Sequence, residues 1–451
     1  MRNLLFLFMT LLAVFAFAQP RQENNQPDNA TIWYTMPEES EPHEGTWLQW
    51  PHQYQYGVTY RNRLDATWVA MSKELVSSEI VHIIAYDNTE KDRIIGLLKA
   101  ADVPLTGVEF KIYPTDDVWV RDNGPIYVRN KNGQLVIEDW GFNGWGNKTD
   151  YQNCNTIPAK IAEDQDKINV DLNGIMVNEG GAIEIDGKGT LLATKSAILN
   201  DNRNPGMTSA QAETIFTKYL GVTNFIWLDG VAGLEITDMH IDGFARFGNA
   251  TTIVTMEQDD LLEWEVPPSD INKLYVAKNK DGIPYTLVKL PLTQNKVVTN
   301  YGKNLGYKGS YVNYYIANTK VLVPNYNDPN DALANSIIQN LYPNKTVVGI
   351  DVRNLYANGG MIHCVTQQQP QAVAMTTPVT VTPPLSVPVA GVSSLLTSEC
   401  LATYSPVEGV LHIPCVQVPA PVSGSVVYKV SLQQRFPNFE FALDLNSVTP
   451  R

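Results

Sequence analysis

The chain has 451 residues, 44% of them hydrophobic, and a formal charge of −14. That length and apolar content exclude a disordered or fibrous protein and predict a large domain with an accessory one, or two or three domains. The acidity argues against nucleic acid and anionic lipid as partners; it suits solubility, and wherever carboxylates converge in a cleft it suits a cationic substrate.

In chain order, the opening MRNLLFLFMTLLAVFAFAQ sets Arg2 before an apolar run from Leu4 and ends in the small-x-small pattern Ala16-Phe17-Ala18. This predicts a secretory signal at residues 1–18 with a lead at 19–30, and hence a periplasmic or secreted protein. The run is short for a bilayer span, which needs about 20 apolar residues, so no membrane span is expected.

From 31 to 372 short β-like runs alternate with amphipathic helical ones, the pattern of an α/β domain. Strands are predicted at Trp47 to Trp50, Val81 to Tyr86, Val108 to Tyr113, Pro125 to Val128, Ala182 to Ile185, Leu191 to Thr194, Thr252 to Met256 and Lys320 to Pro324. Helices are predicted at Arg63 to Ser78, Lys91 to Ala101, Ser209 to Leu220 and Asp331 to Leu341. Five times a cluster of polar or glycine residues sits beside an alternating apolar run: RDNGPIYV, NEGGAIEIDGKGTLLAT, TDMHIDGFARF, YVNYYIANTKVLVP and NGGMIHCVTQ. Five such units imply five strand ends delivering side chains to one place. Prolines 378, 383, 384 and 388 then mark an extended linker over 373–397, and the alternation beyond it predicts a small antiparallel β domain at 398–451.

The clusters hold the candidate chemistry. Asp122, before Asn-Gly-Pro, reads either as a turn residue or as a carboxylate aimed at a cation. Glu179 precedes Gly180 and Gly181, where ligand or backbone can approach closely; the alternative is an exposed loop before the hairpin at Asp186-Gly187 and Gly189. If the segment is extended, Asp238, His240 and Asp242 share one face, which suits an oriented general base, a metal site or a satisfied structural histidine. The remaining histidines are scattered at 43, 52, 82, 363 and 412, without ligand spacing, which favours the base over a metal hydrolase. Cys364 follows Gly359 and Gly360, which free the backbone for an exposed thiol. It is a nucleophile if a cationic partner lowers its pKa and a small buried hydrophobe otherwise. His363, its neighbour, points to the opposite face in a strand, so His240 is the better partner. Cys400 and Cys415 are a plausible disulfide; Cys154 has no assigned role, and its pairing with Cys364 would remove the nucleophile.

Taken together, MPEESEPHEGTWLQWPH, DVWVRDNGP, NEGG, DNRNPGMT, TDMHIDG, YVNYYIANTKVLVPNYNDPND and GGMIHCVTQQQP resemble, in order, the agmatine deiminases and the bacterial peptidylarginine deiminases of the guanidino-group-modifying superfamily. The resemblance implies a five-bladed α/β propeller of the pentein type from about 31 to 370. It implies Cys364 as nucleophile, His240 as general acid and base, Asp122 and Asp242 as the carboxylates gripping a guanidinium, and Glu179 as the carboxylate orienting the histidine. Trp119 and Asn313 would line the pocket. No metal or organic cofactor is implied, and the partner is a small cationic guanidine or a peptidyl-arginine. A non-catalytic guanidine-binding protein of the same fold is the remaining alternative.

Two departures bear on the substrate. Where agmatine deiminases commonly read GGGN, this chain reads NGGM, with Asn358 and Met361 close to the cysteine. No arginine occurs between Arg129 and Arg203 to hold a substrate carboxylate as in the bacterial peptidylarginine enzymes, and Lys148 would be a less specific substitute. The expectation is therefore agmatine or another guanidine lacking a carboxylate.

Overall fold

The computed structural model describes residues 32–372 and, beyond them, the strands Thr403–Ser405, Val410–Pro419, Ser425–Arg435, Glu440–Leu443 and Thr449–Pro450. The signal, the lead, the linker and the Cys400–Cys415 pair lie outside the described residues or side chains. Contacts divide the chain into two compact units, 1–375 and 376–451; in the second the five strands pair antiparallel.

The first unit consists of five separate mixed sheets. Each repeats one plan, an antiparallel pair whose second strand runs on through a helix to a parallel third. Ile126–Asn130 pairs Leu135–Gly141, which crosses by helix Ile157–Asp164 to Asn169–Val177. Ile183–Ile185 pairs Thr190–Thr194, which crosses by Ser209–Leu220 to Asn224–Leu228. Arg246–Asn249 pairs Thr252–Met256, followed by Thr286–Leu290 after two helices. Tyr315–Ile316 pairs Lys320–Asn325, which crosses by Asp331–Leu341 to Thr346–Asp351. The fifth sheet joins the two ends of the unit: Gln367–Pro370 pairs His43–Gln49, followed in parallel by Ile80–Ala85 and Val108–Ile112.

Local chemistry explains the helices. Thr208 and Gln211 form a capping box at the start of Ser209–Leu220, and Gly221, at φ 75°, ends it in the left-handed conformation glycine favours. Asp87 accepts from Glu90 N at 2.8 Å and caps Asn88–Ala100. The helix expected from Arg63 begins earlier, at Gln53, with a break at Gly57 (φ 66°, ψ 158°), so its first turn forms a separate piece. Apolar faces of these helices and sheets close three clusters, the largest built around Trp50, Trp68, Phe244, Tyr311 and Leu322.

Candidate active site

The repeated plan delivers the candidate residues. In every sheet the segment just before the first strand of the antiparallel pair carries one or two of them. Asp122 sits in the short helix Val120–Asn123, Glu179 immediately before the 3-10 turn Gly180–Ala182, and His240 and Asp242 at the turn Ile241–Gly243. Asn313 lies two residues before Tyr315–Ile316, and Cys364 in the turn His363–Val365.

Gly181 marks the centre. A methyl group on its Cα would lie 2.7 Å from His240 Nδ1, 2.8 Å from Asp122 Oδ1 and 3.0 Å from Asp242 Oδ2, so three residues from two segments converge on one point that only glycine leaves open. His240 Nε2 bonds Glu179 Oε2 at 2.9 Å, and its Nδ1 faces Asp122 Oδ1 at 3.6 Å. Burial opposes the imidazolium, but Asp122, Glu179 and Asp242 outweigh it and raise the His240 pKa to about 9. Asp122 accepts from Trp145 Nε1 at 3.0 Å and from Gly181 N at 3.1 Å. Burial lifts its pKa to about 6, with His240 pulling down and Asp242 and Glu179 pushing up.

Asp242 is held differently. Its Oδ2 lies 2.8 Å from His363 Nδ1, and His363 Nε2 lies 2.8 Å from Glu39 Oε2. Glu39 also accepts from Arg246 Nη2 at 2.7 Å, Arg121 Nη2 at 3.4 Å and Ile316 N at 2.8 Å. Burial would raise the Asp242 pKa, yet His363, His240 and Arg246 hold it below the ordinary carboxylate value. Asp242 and Asp122, both carboxylates facing the Gly181 Cα, are thus tuned apart.

The Cys364 sulfur stands at the edge of this group, 3.5 Å from Asn313 Oδ1 and 3.9 Å from Asp242 Oδ2. Asn313 Oδ1 also accepts from His363 N at 3.0 Å, and Asn313 Nδ2 donates to Asp242 O at 3.2 Å, so this amide ties the thiol's turn to the aspartate's. Burial, then the Asp242 and Asp122 charges, push the thiol pKa well above 9. Gly359 takes φ 95°, and Gly360 lies so close to the Trp119 ring that a methyl group there would stand 2.1 Å from Cζ3. Trp119 therefore packs directly on the cysteine's loop.

Several sequence expectations are corrected. The segment 238–242 is not extended: Asp238 and Met239 take φ 59° and 74°, so the period-two argument fails there. Asp238 turns away from His240 to pair with Arg203 and, at 2.7 Å, Lys148. Among the described residues no group of three or more His, Cys, Asp or Glu is arranged to hold a metal ion. Cys154 and Cys364 are both free, not bonded to each other; the Cys154 sulfur accepts from Asp116 N at 3.3 Å, and burial pushes its pKa to about 12. Lys148, bonded to Asp238 and at 2.8 Å to Ile236 O, is committed internally.

Sequence reasoning missed Trp145, Arg203, His363, Glu39 and the central position of Gly181. Trp145 lies in a glycine-rich turn at φ 53°, and its aromatic ring between glycines was the available signal.

Solved structures share this architecture. The agmatine deiminase of Enterococcus faecalis superposes with a TM-score of 0.67 at 26% identity over 75% of this chain and 96% of that one. A putative arginine deiminase from Porphyromonas gingivalis gives 0.66 at 31% identity over 75% and 98%. The agmatine deiminase of Pseudomonas aeruginosa (strain LESB58) is 30% identical over 363 residues, 75% of this chain and 95% of that protein. With these relatives, the chain is classed as a hydrolase acting on C–N bonds of linear amidines. The family model for Porphyromonas-type peptidyl-arginine deiminase matches residues 35–370, and the chain belongs to that family.

Proposed function

We propose that this protein is an exported deiminase that converts agmatine, or a similar guanidine lacking a carboxylate, to the ureido product and ammonia through a covalent intermediate on Cys364. The observation that carries the reading is the convergence of Asp122 Oδ1, Asp242 Oδ2 and His240 Nδ1 on one point beside the Cys364 sulfur. Two carboxylates match the paired N–H groups of a planar guanidinium and hold its carbon against the sulfur. We read the five sheets as the blades of a propeller about this point, and the N-terminal stretch as the export signal.

Before substrate docks, burial and the two aspartates favour Cys364 as a thiol, and the three carboxylates around it favour His240 as an imidazolium. A docked guanidinium offsets the two aspartates, and the thiol releases its proton to solvent, to be regained when the product leaves. The thiolate adds to the guanidinium carbon; His240 gives its proton to one amino group, which leaves as ammonia, and a cationic thiouronium remains. Neutral His240 then takes a proton from water as the oxygen bonds to that carbon. Collapse breaks the C–S bond, returns the thiolate and leaves a urea once a proton departs; with the ammonia, that proton gives ammonium.

Support for a carboxylate-free substrate comes from Lys148 and Arg203, whose donors are taken by the protein itself. The family match favours a second reading, conversion of peptidyl-arginine to citrulline. Ammonia release by wild type and Cys364→Ala from agmatine, free arginine and a C-terminal-arginine peptide separates the two. The expected result is turnover of agmatine by wild type only; equal activity in Cys364→Ala refutes the mechanism, and preference for the peptide refutes the substrate assignment.

A further inference from the structure

Arg203 has a side chain 0% exposed, and its donors form a full set of bonds inside the protein. Nε donates to Glu179 Oε1 at 2.9 Å and Nη2 to Glu179 Oε2 at 3.3 Å. Nη1 donates to Asp238 Oδ2 and, at 3.0 Å, to Asn202 Oδ1, and Nη2 reaches Thr237 O at 3.1 Å. No N–H is left for a substrate, so Arg203 is not a carboxylate receptor. Its forked contact covers both oxygens of Glu179, and one of these, Oε2, also meets His240 Nε2. Asp238 is in turn fixed by Lys148 Nζ and by Gly233 N at 2.6 Å. A chain of alternating charge therefore runs Lys148, Asp238, Arg203, Glu179, His240, from a partly exposed lysine to the buried imidazole.

We infer that Arg203 is a positioning residue for the reaction: clamped by Asp238, it fixes the Glu179 carboxylate against His240 and offsets its charge, so that the imidazolium can surrender its proton to the departing ammonia. The inference rests on the function proposed above. The groups facing His240 are Asp122 from Val120–Asn123, Glu179 before Gly180–Ala182 and Asp242 from its own turn; beyond Asp242 stand Cys364 and His363, backed by Glu39 and Arg246. Three carboxylates thus surround one imidazole, and Arg203 is the cation that contacts the carboxylate bonded to Nε2. Removing it strengthens the hold on the proton. Lysine keeps the charge but cannot bridge both carboxylates with a planar fork.

The test is the pH dependence of kcat/KM for ammonia release from agmatine by wild type, Arg203→Met, Arg203→Lys and Cys364→Ala. For Arg203→Met the alkaline limb, set by loss of the His240 proton, is expected to move up by about one pH unit, with at least about a tenfold loss at neutral pH. Arg203→Lys is expected to keep the limb near its wild-type position and to recover part of the rate. If Arg203→Met does not fold, the double variant Arg203→Met with Asp238→Asn, which removes one cation and one anion together, is expected to move the limb in the same direction by less, because Arg203 contacts Glu179 and Asp238 does not. A limb that stays in place while activity falls only in step with stability overturns the inference and leaves the reaction intact. Ammonia release that survives Cys364→Ala overturns the reaction and the inference with it.

Discussion

Gly181→Ala tests the geometry of the site with a single methyl group. That carbon would meet His240 Nδ1 at 2.7 Å, Asp122 Oδ1 at 2.8 Å and Asp242 Oδ2 at 3.0 Å, where ordinary contact begins at 3.4 Å. None of the three can simply withdraw. Asp122 is bonded by Trp145 and by the Gly181 amide, His240 by Glu179, and Asp242 by His363. Each must shift by a few tenths of an ångström, in different directions, and the space between the two aspartates shrinks. Overpacking of this kind costs about 1–3 kcal/mol of stability; misplacement of a reacting group by about 1 Å costs about 100-fold in rate, so shifts of a few tenths in three of them predict a loss of about tenfold. The assay is kcat/KM for ammonia release, with thermal unfolding of both proteins as the control. Activity within about threefold of wild type, less than 1 kcal/mol of barrier, would show that the three side chains do not act at this point.

His363→Ala leaves Asp242 without its imidazole and removes one of four contacts on the Glu39 carboxylate; loss of one partner from such a buried pair predicts destabilisation by about 3 kcal/mol in urea unfolding. His82 packs on Trp47 with ring centroids 4.4 Å apart, and although Glu109 Oε2 comes within 3.2 Å, neither ring nitrogen makes a hydrogen bond. Burial, then Lys111, depress its pKa to about 4 from 6.5, so the folded state resists protonation. Stability attributable to this residue is intact above pH 6.5 and is lost as pH falls toward 4, on the order of 3 kcal/mol in full. His82→Leu is expected to flatten that acid-side decline in chemical denaturation; an unchanged slope would assign the decline to other groups.

The parts legible in the sequence are those where burial and chemistry coincide. Each polar cluster adjoins a short, well-buried strand, so alternation and residue type mark the same place; Thr252–Met256, Ser209–Leu220 and Asp331–Leu341 have the predicted limits. Four of the strands that went unread are the outer parallel ones. Asn169–Val177 and Thr346–Asp351 are largely exposed or half-buried, and they lack a continuous apolar face for a pattern search to find. Leu135–Gly141 is buried throughout, but Glu138 and Asp139 interrupt its apolar run. At 238–242 a strand periodicity was read across two non-glycine residues in the left-handed region, a conformation that no residue type there announces. Glu39 and Arg203 lie in motifs that carry the family resemblance, but they act through other side chains, so their own residue types do not announce what they do.

The joining of Gln367–Pro370 to His43–Gln49 has a consequence for biogenesis. A ribosome delivers Asp122, Glu179, His240 and Asp242 well before the Cys364 sulfur, which emerges near the end of the unit, directly ahead of the strand that pairs with His43–Gln49. On the proposed mechanism, a nascent or truncated chain lacking that last strand holds a collection of carboxylates without a nucleophile. Reactivity toward a guanidine, as proposed, is thereby deferred until both extremities of the unit have met.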